Sequence, residues 1–278
     1  MKFYKPSNLA ELFSKMQESM HDNYLLAGGT DINVQIKNSM IKDVNIIYIN
    51  HLSELRGISE NQSEISIGST TTFFEILNSS LIRKYLPFLQ SSLDYFASPI
   101  LQTSATIGGN IANGSPTADV LPLLLVLDAK LELKAKNDSR LIDISDFFTG
   151  YKKHVMKSDE IIYRIIILKN SEEGFIPFYE KVGARKTLTI AKVALAGLKR
   201  EKSGKIIEIK LAVGSLNEYA RRLPKIEAYL LEKSVTEIDY HKIDEILNQE
   251  ITPISDLRSD KEYRFHVCAN LIRTFLNK

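Results

Sequence analysis

The sequence predicts an α+β protein built as three consecutive units, and three observations carry that prediction. Short segments of strand length, either alternating or β-branched, recur through the first 168 residues and are interleaved with helical patterns and glycine-bearing loops. A polar, charged tract, Lys169-Asn170-Ser171-Glu172-Glu173-Gly174, then interrupts the pattern and ends in glycine. Beyond it, three strand-like runs are followed only by helical patterns, the order expected of an antiparallel sheet with helices on one face.

In the first unit, residues 1–57, Asn8 to Ser19 reads as a helix, and Tyr24 to Leu26 and Asn45 to Ile49 as short strands with a helix, Asp31 to Lys37, between them. In the second unit, 58–168, Glu64 to Ile67 alternates as a half-buried strand, and Thr72 to Leu77 and Leu81 to Phe96 read as helices. Thr117 to Leu127 starts another helix. Ala129 to Ala135 alternates with Leu131, Leu133 and Ala135 on one face, and Ile161 to Leu168 has the β-branched composition of a buried strand. Between them, Asp146-Phe147-Phe148-Thr149-Gly150 reads as a helical turn closed by glycine, with both phenylalanines in the core.

The third unit, 174–278, opens with three strands, Phe175 to Val182, Val193 to Arg200 and Ile206 to Val213. Glu201-Lys202-Ser203-Gly204 joins the second and third as a hairpin. Helices follow at Leu223 to Glu232 and Tyr240 to Asn248, and on a final helix Tyr263, Val267, Leu271 and Phe275 recur every four residues.

Composition narrows the function classes. A chain of 278 residues with 44% apolar and 25% charged residues can bury a sizeable core. Its net charge of +2, with acidic and basic residues interspersed, disfavours nucleic acid and anionic membrane as partners. The first residues, Met1-Lys2-Phe3-Tyr4-Lys5-Pro6, hold no signal-peptide core, and the longest apolar run, Val120 to Leu127, contains a proline and is too short to cross a bilayer. A soluble, cytoplasmic protein is expected. Cys268 is the only cysteine, which rules out an intrachain disulfide and any iron–sulfur cluster held by this chain's thiolates alone. Its position in the last helix marks a buried structural thiol. The five histidines, His21, His51, His154, His241 and His266, lack metal-ligand spacing, so no metal site is expected in this chain.

Two glycine-bearing segments stand apart from this background. Leu25-Leu26-Ala27-Gly28-Gly29-Thr30-Asp31-Ile32 and Thr106-Ile107-Gly108-Gly109-Asn110-Ile111-Ala112-Asn113-Gly114-Ser115-Pro116-Thr117-Ala118-Asp119 each set a glycine pair among small polar residues. Such loops let the backbone approach a ligand and turn several N–H groups toward one anion, and each runs toward a helix start. A single Gly-Gly-Thr is more often a tight turn. The pair together suggests a dinucleotide held between two loops. Neither segment is the G-x-G-x-x-G or the G-x-x-x-x-G-K-[ST] pattern, so a different nucleotide fold is required.

With these loops, the chain resembles the FAD-binding, or medium, subunits of the molybdenum hydroxylase family, of the xanthine dehydrogenase and aerobic carbon monoxide dehydrogenase type. The resemblance runs along nearly the whole chain. It also includes Phe96-Ala97-Ser98-Pro99-Ile100, Asp146 to Tyr151, Lys181-Val182-Gly183-Ala184-Arg185-Lys186 with Ile190-Ala191-Lys192-Val193, and Ser259 to Arg264. It implies a two-lobed FAD-binding domain of the p-cresol methylhydroxylase/vanillyl-alcohol oxidase type, followed by an α+β C-terminal domain with a three-stranded antiparallel sheet. It also implies electron transfer, in which FAD supplies the reactivity and the protein supplies position and electrostatics. Electrons from a molybdenum-pterin centre on a large partner subunit and [2Fe-2S] clusters on a small one would reach the FAD here and leave to NAD+ or another acceptor. No residue of this chain is implied as a catalytic acid or base.

Carried over position by position, the resemblance implies that Ala27, Gly28, Gly29, Thr30, Asp31 and Ile32 wrap the pyrophosphate and adjoining ribityl region, with Thr106, Gly108, Gly109 and Asn110 closing the second side. Asn113 would belong to the same second loop, although its position varies in the family. Asp119 would bind a sugar hydroxyl. Phe96 and Ala97 would lie along the cofactor, Ile161 and Ile162 would pack against it, and Lys181 would stand near the isoalloxazine. The alternative for Lys181 is a solvated lysine at a strand end. Arg185 and Lys186 could touch an acceptor or partner or be solvated surface, and Tyr263 and Arg264 are expected to pack and cap. Two other readings stay open: a stand-alone FAD-dependent reductase of related fold, and a non-catalytic nucleotide-binding assembly protein.

Overall fold

The computed structural model describes residues 2–18, 23–42, 44–94, 96–185 and 188–278, so the expected helix end at Ser19 and the candidate Lys186 lie outside the described residues. The chain begins with strand β1 (Lys2–Tyr4), helix α1 (Leu9–Glu18), β2 (Asn23–Leu26), α2 (Ile32–Lys37) and β3 (Asn45–Tyr48). These three strands form a parallel sheet in the order β1-β3-β2. Asn8 caps α1 by accepting the Glu11 N–H at 2.9 Å. From α1, Leu12, Phe13 and Met16 then pack on Ile47, Ile49, Leu52, Leu55 and Ile161. β1 escaped the sequence reading because three residues are too few to show a period.

The next stretch carries β4 (Ile58–Glu60), β5 (Glu64–Gly68), α3 (Phe73–Leu77), α4 (Ser80–Tyr85), α5 (Pro87–Ser92), α6 (Pro99–Gln102), α7 (Ile107–Asn113) and α8 (Val120–Val126). It ends with β6 (Lys130–Lys134), β7 (Ser139–Asp143), β8 (Phe148–Gly150), β9 (Lys153–His154) and β10 (Ile161–Leu168). An antiparallel sheet of order β4-β5-β10-β6-β7 results, with Ile165 set opposite both Ile67 and Leu131. All three are fully buried, so the β-branched run is the centre of the sheet, as its composition requires. The expected helix from Leu81 to Phe96 is broken into α4 and α5, because Pro87 has no N–H to continue the ladder and takes the first helical position instead. The expected helical turn at Asp146 to Gly150 is a 3-10 turn over Ile144–Asp146 leading into β8, although Phe147 and Phe148 are buried as expected.

The last part contains β11 (Ile176–Val182), β12 (Val193–Lys202), β13 (Lys205–Gly214), β14 (Arg221–Arg222), α9 (Pro224–Leu230), α10 (Tyr240–Glu250) and α11 (Lys261–Leu276). The sheet has four antiparallel strands, β11-β12-β13-β14, and not three. The added strand is two residues long, pairing Arg221 and Arg222 with Val213 and Ala212, below the length at which alternation can be read. Ser203 and Gly204, at φ 53 and 77, make the two-residue hairpin turn. One face of this sheet packs Val193, Leu195, Leu211 and Val213 on α9, α10 and α11. The other face sends Ala196, Leu198 and Ala212 into the core of the preceding part, against α8. Every residue of α8 is buried, so it reads as a continuous apolar run.

On α11 the buried residues are Arg264, Cys268, Ala269, Ile272, Phe275 and Leu276, whereas Tyr263 is exposed. A spacing of four drifts off one face of a helix that turns every 3.6 residues, which is why the stripe through Tyr263, Val267 and Leu271 was misplaced. Cys268 is fully buried, and burial alone pushes its thiol far above the ordinary range, as expected of an inert structural cysteine.

The tract after β10 is more than a spacer. Its Glu172 accepts the N–H groups of Phe88 at 2.8 Å and Leu89 at 3.1 Å, capping the start of α5 from a distant point in the sequence. Burial pushes this carboxyl up from 4.5 to about 7, against those two hydrogen bonds. A carboxyl that binds its proton more tightly when folded contributes stability that is fully present below pH 4.5 and is lost as the pH rises through about 7. Melting temperature is therefore expected to fall across that window, and Glu172→Gln to flatten the fall. Parallel slopes for the two proteins in melts across this range would contradict the assignment.

Candidate functional site

Residues 27–31 link β2 to α2, and their course is dictated by the two glycines. Gly29 has φ 72, a left-handed conformation that favours glycine. Gly28 has no room for any side chain, since a Cβ there would lie 1.7 Å from the Ser104 carbonyl oxygen and 3.3 Å from the Ala105 Cα. The first loop thus rests directly on the backbone leading into the second, and the two segments form one surface. Among the described residues, the N–H groups of Gly28, Gly29, Thr30, Asp31 and Ile32 have no protein acceptor. Successive free N–H groups around a left-handed residue make a concavity suited to an anion. Asp31 turns its carboxylate aside to the Gln35 amide, and Ile32 anchors the loop on Ile41, Val44 and Ile46.

The second loop behaves differently from the first. Thr106 caps α7 by accepting the Gly109 N–H at 3.3 Å, and Asn110 donates its N–H to the Thr106 carbonyl at 2.9 Å. Ile107 and Gly108 donate to the carbonyls of Thr71 at 3.1 Å and Ser69 at 2.8 Å. A Cβ on Gly108 would come within 2.5 Å of the Ser69 Cβ. The N–H groups of Ile107 to Asn110 are thus satisfied within the protein, unlike those of the first loop. This stretch can offer a ligand close approach and side chains. The Oδ1 of Asn110 and the Oγ of Ser69 are buried there without a partner among the described residues. Asn113 ends α7, with Gly114 in the left-handed conformation behind it, at φ 58.

A cavity of about 820 Å³ opens between α5 and β11, within the range of small-molecule sites. Phe96, Asp119 and Lys181 line it, as do Phe88, Tyr179 and Arg185. Phe96 packs against Phe73 with ring centroids 4.0 Å apart, and Ala97 follows in a left-handed conformation at φ 50. Lys181 is not a solvated strand end: its Nζ bonds the Asp119 carboxylate at 2.7 Å, with only 9% of its side chain exposed. Burial holds the Asp119 carboxyl above its ordinary value despite that ion pair. The Tyr179 hydroxyl donates to the Asp119 carbonyl at 3.3 Å, and burial pushes it well above its usual range, so it stays a donor.

The other expected site residues fall elsewhere. Ile161 is packed in the core under the first loop, where Ala27 covers the same cluster, and Ile162 is packed in the core that Ala97 covers. Both are support for the loops. Arg264 is 2% exposed and bonds backbone carbonyls, and Tyr263 holds Lys192 over its ring, in keeping with packing roles. Sequence reading missed Tyr179 and Glu172. Tyr179 carried a usable signal, since it sits two residues before Lys181 on one strand face. Glu172 carried none, because its contact is with a helix far back in the chain.

Comparison with known proteins bears on the family and the fold. The model of the FAD binding domain in molybdopterin dehydrogenase matches residues 1–167, and that of the CO dehydrogenase flavoprotein C-terminal domain matches residues 178–278. The xanthine dehydrogenase FAD-binding subunit of Escherichia coli O157:H7 is 28% identical over 277 residues, 99% of this chain and 94% of that protein. The carbon monoxide dehydrogenase medium chain of Hydrogenophaga pseudoflava is 26% identical over 275 residues, 99% of this chain and 95% of that one. The solved carbon monoxide dehydrogenase from Hydrogenophaga pseudoflava, which lacks the Mo-pyranopterin moiety of its cofactor, superimposes with a TM-score of 0.93 at 27% identity, covering 100% of this chain and 96% of that one. Two family models in tandem, the two-loop cradle and the shared fold lead to one assignment: the chain belongs to the FAD-binding subunits of the molybdenum hydroxylase family, oxidoreductase subunits of the xanthine dehydrogenase and carbon monoxide dehydrogenase type.

Proposed function

We propose that this chain is the electron-transfer subunit of a cytoplasmic molybdenum hydroxylase complex, receiving electrons from the [2Fe-2S] clusters of a small partner subunit and passing them to NAD+ or another acceptor. A large molybdenum-pterin subunit would oxidise the substrate. The observation that carries the reading is the run of free N–H groups at Gly28 to Ile32, held against the second loop and leaving the Asn110 amide oxygen without a partner.

These residues fit FAD. The free N–H groups suit the pyrophosphate, and the orphaned Asn110 side chain needs a polar partner that a dinucleotide can supply. Phe96 and the buried ammonium of Lys181 line the cavity, where they would face the ring system. FAD, when bound, supplies the capacity to exchange electrons singly or in pairs. Ala27 to Ile32 would bind and orient it, Ser104 and Ala105 hold that loop in place, and Tyr179 keeps the Asp119 backbone fixed on the cavity wall. Dependence on partners follows from the single cysteine, which cannot supply the thiolates of a [2Fe-2S] cluster. Among the described residues no helix is long and apolar enough to cross a membrane, and no group of His, Cys, Asp and Glu could hold a metal ion.

The test is the absorption spectrum of the purified chain, followed by titration with FAD and by co-purification with its neighbours in the cell. Stoichiometric FAD on this chain, with iron and molybdenum only in the co-purifying subunits, is the expected result. Failure to bind FAD on titration would overturn the proposal.

A further inference from the structure

The cavity between α5 and β11 has one deeply buried cation and one deeply buried anion in its wall, and they are bonded to each other. Asp119 stands at the N-cap position of α8, where an aspartate side chain ordinarily accepts a helix N–H, yet its side chain makes no such bond. It reaches Lys181 Nζ at 2.7 Å instead, joining α8 to β11. Only 14% of the Asp119 side chain and 9% of Lys181 remain exposed. Arg185, Glu180 and Lys278 also line the cavity, but all three are exposed and screened by solvent. Inside the wall, therefore, this one pair sets the local charge, and it is close to neutral as a unit.

We propose that Asp119 is a positioning residue that ties the Lys181 ammonium to the cavity wall and offsets its charge, so that the balance of this pair sets how strongly the cavity favours the reduced over the oxidised cofactor. The inference rests on the reading of the cavity as the flavin site. Two-electron reduction of flavin at neutral pH takes two electrons and one proton, a net gain of one negative charge, with both electrons supplied by the reduced iron–sulfur clusters of the partner complex. A cation facing that charge favours the reduced form, and a paired cation favours it less. Coulomb energy at close range in a poorly hydrated wall makes the difference measurable. Burial raises the Asp119 carboxyl from its ordinary value and the Lys181 ammonium opposes that rise, in keeping with a close, poorly hydrated pair.

The experiment is the midpoint potential of FAD bound to the full chain, measured by stepwise reduction against a reference dye. Asp119→Asn frees the ammonium, and the ratio of affinities for reduced and oxidised FAD is expected to rise about tenfold, which is about 30 mV upward for a two-electron couple. Lys181→Met removes the cation and is expected to move the potential downward, and Asp119→Glu to return most of the way to wild type. Unmoved potentials in the first two variants, with FAD retained, overturn the inference. If Asp119→Asn cannot hold FAD, Lys181→Met decides alone: a lower potential supports the inference and an unchanged one overturns it. Loss of FAD from both would make the pair a binding element and would also overturn it. Absence of FAD from the wild-type chain removes the proposed function together with this inference, whereas wild-type FAD with unmoved potentials removes the inference alone.

Discussion

Gly28→Ala is expected to cost the chain its cofactor affinity, by tenfold or more. The added methyl would fall 1.7 Å from the Ser104 carbonyl oxygen and 2.6 Å from its carbonyl carbon, both backbone atoms that cannot rotate away. The two strips must separate until the contact relaxes to about 3.5 Å, and the run of N–H groups from Gly28 to Ile32 moves with them. A displacement of that kind costs about 1–3 kcal/mol in overpacking. A tenfold loss in affinity corresponds to about 1.4 kcal/mol. Gly204→Ala is the matched control. Gly204 holds a left-handed conformation, at φ 77, which Gly28 does not, and nothing lies within 4 Å of its missing Cβ. It should lose some stability to backbone strain and bind FAD normally. FAD titration of both proteins separates a site defect from a folding defect, and full affinity in Gly28→Ala would sink the loop assignment.

The clash also shows what could and could not be seen in the sequence. Both glycine segments were legible, because a run of small and polar residues beside an apolar stretch is hard to explain by packing alone. Their mutual contact was not, since nothing local marks Ser104 as the neighbour of Gly28. Nor was the difference between them. Both look like anion loops, but the second directs its N–H groups to Ser69, Thr71 and Thr106, and that depends on a segment before α3 brought alongside by the sheet. Long strands such as β10 and β12 were readable because burial on both faces leaves a largely continuous apolar run, and β13 because its first half alternates. The strands β1 and β14 were too short to leave a period. The pairing of Asp119 with Lys181 joins two elements across the seam between α8 and β11, and no pattern along either element foretells it.

Arg264 was expected to pack and cap, but its partners could not be read from the sequence. A charged residue on the core face of a helix contradicts the apolar pattern by which that face is found, and its burial makes sense only through its partners. The guanidinium donates to the carbonyls of Lys192 at 2.6 Å and Ser215 at 3.1 Å, and to the Asp256 carboxylate at 2.8 Å. Lys192 immediately precedes β12, Ser215 immediately follows β13, and Asp256 lies in the segment before α11. One side chain thus holds two strand ends and a loop to the last helix. Arg264→Ala would leave buried carbonyls without donors, each costing about 1–3 kcal/mol, while Asp256 keeps the backbone N–H groups of Arg258 and Ser259. A total loss of about 2–4 kcal/mol is expected in urea unfolding. Arg264→Lys should recover only part, because a single ammonium cannot reproduce the planar fork that serves all three acceptors. Arg264→Met separates packing from hydrogen bonding: it retains the apolar stem and should still unfold close to the alanine variant. Were the methionine protein instead as stable as wild type, the side chain would be a filler of the helix face, and the strand ends would have to be held by something other than its hydrogen bonds. The same staple limits the segment between β11 and β12, which carries Arg185 to the rim of the cavity. Cofactor affinity in the folded fraction of Arg264→Ala should therefore fall less than in Gly28→Ala, because the loop proposed to cradle the pyrophosphate is one that Arg264 does not touch.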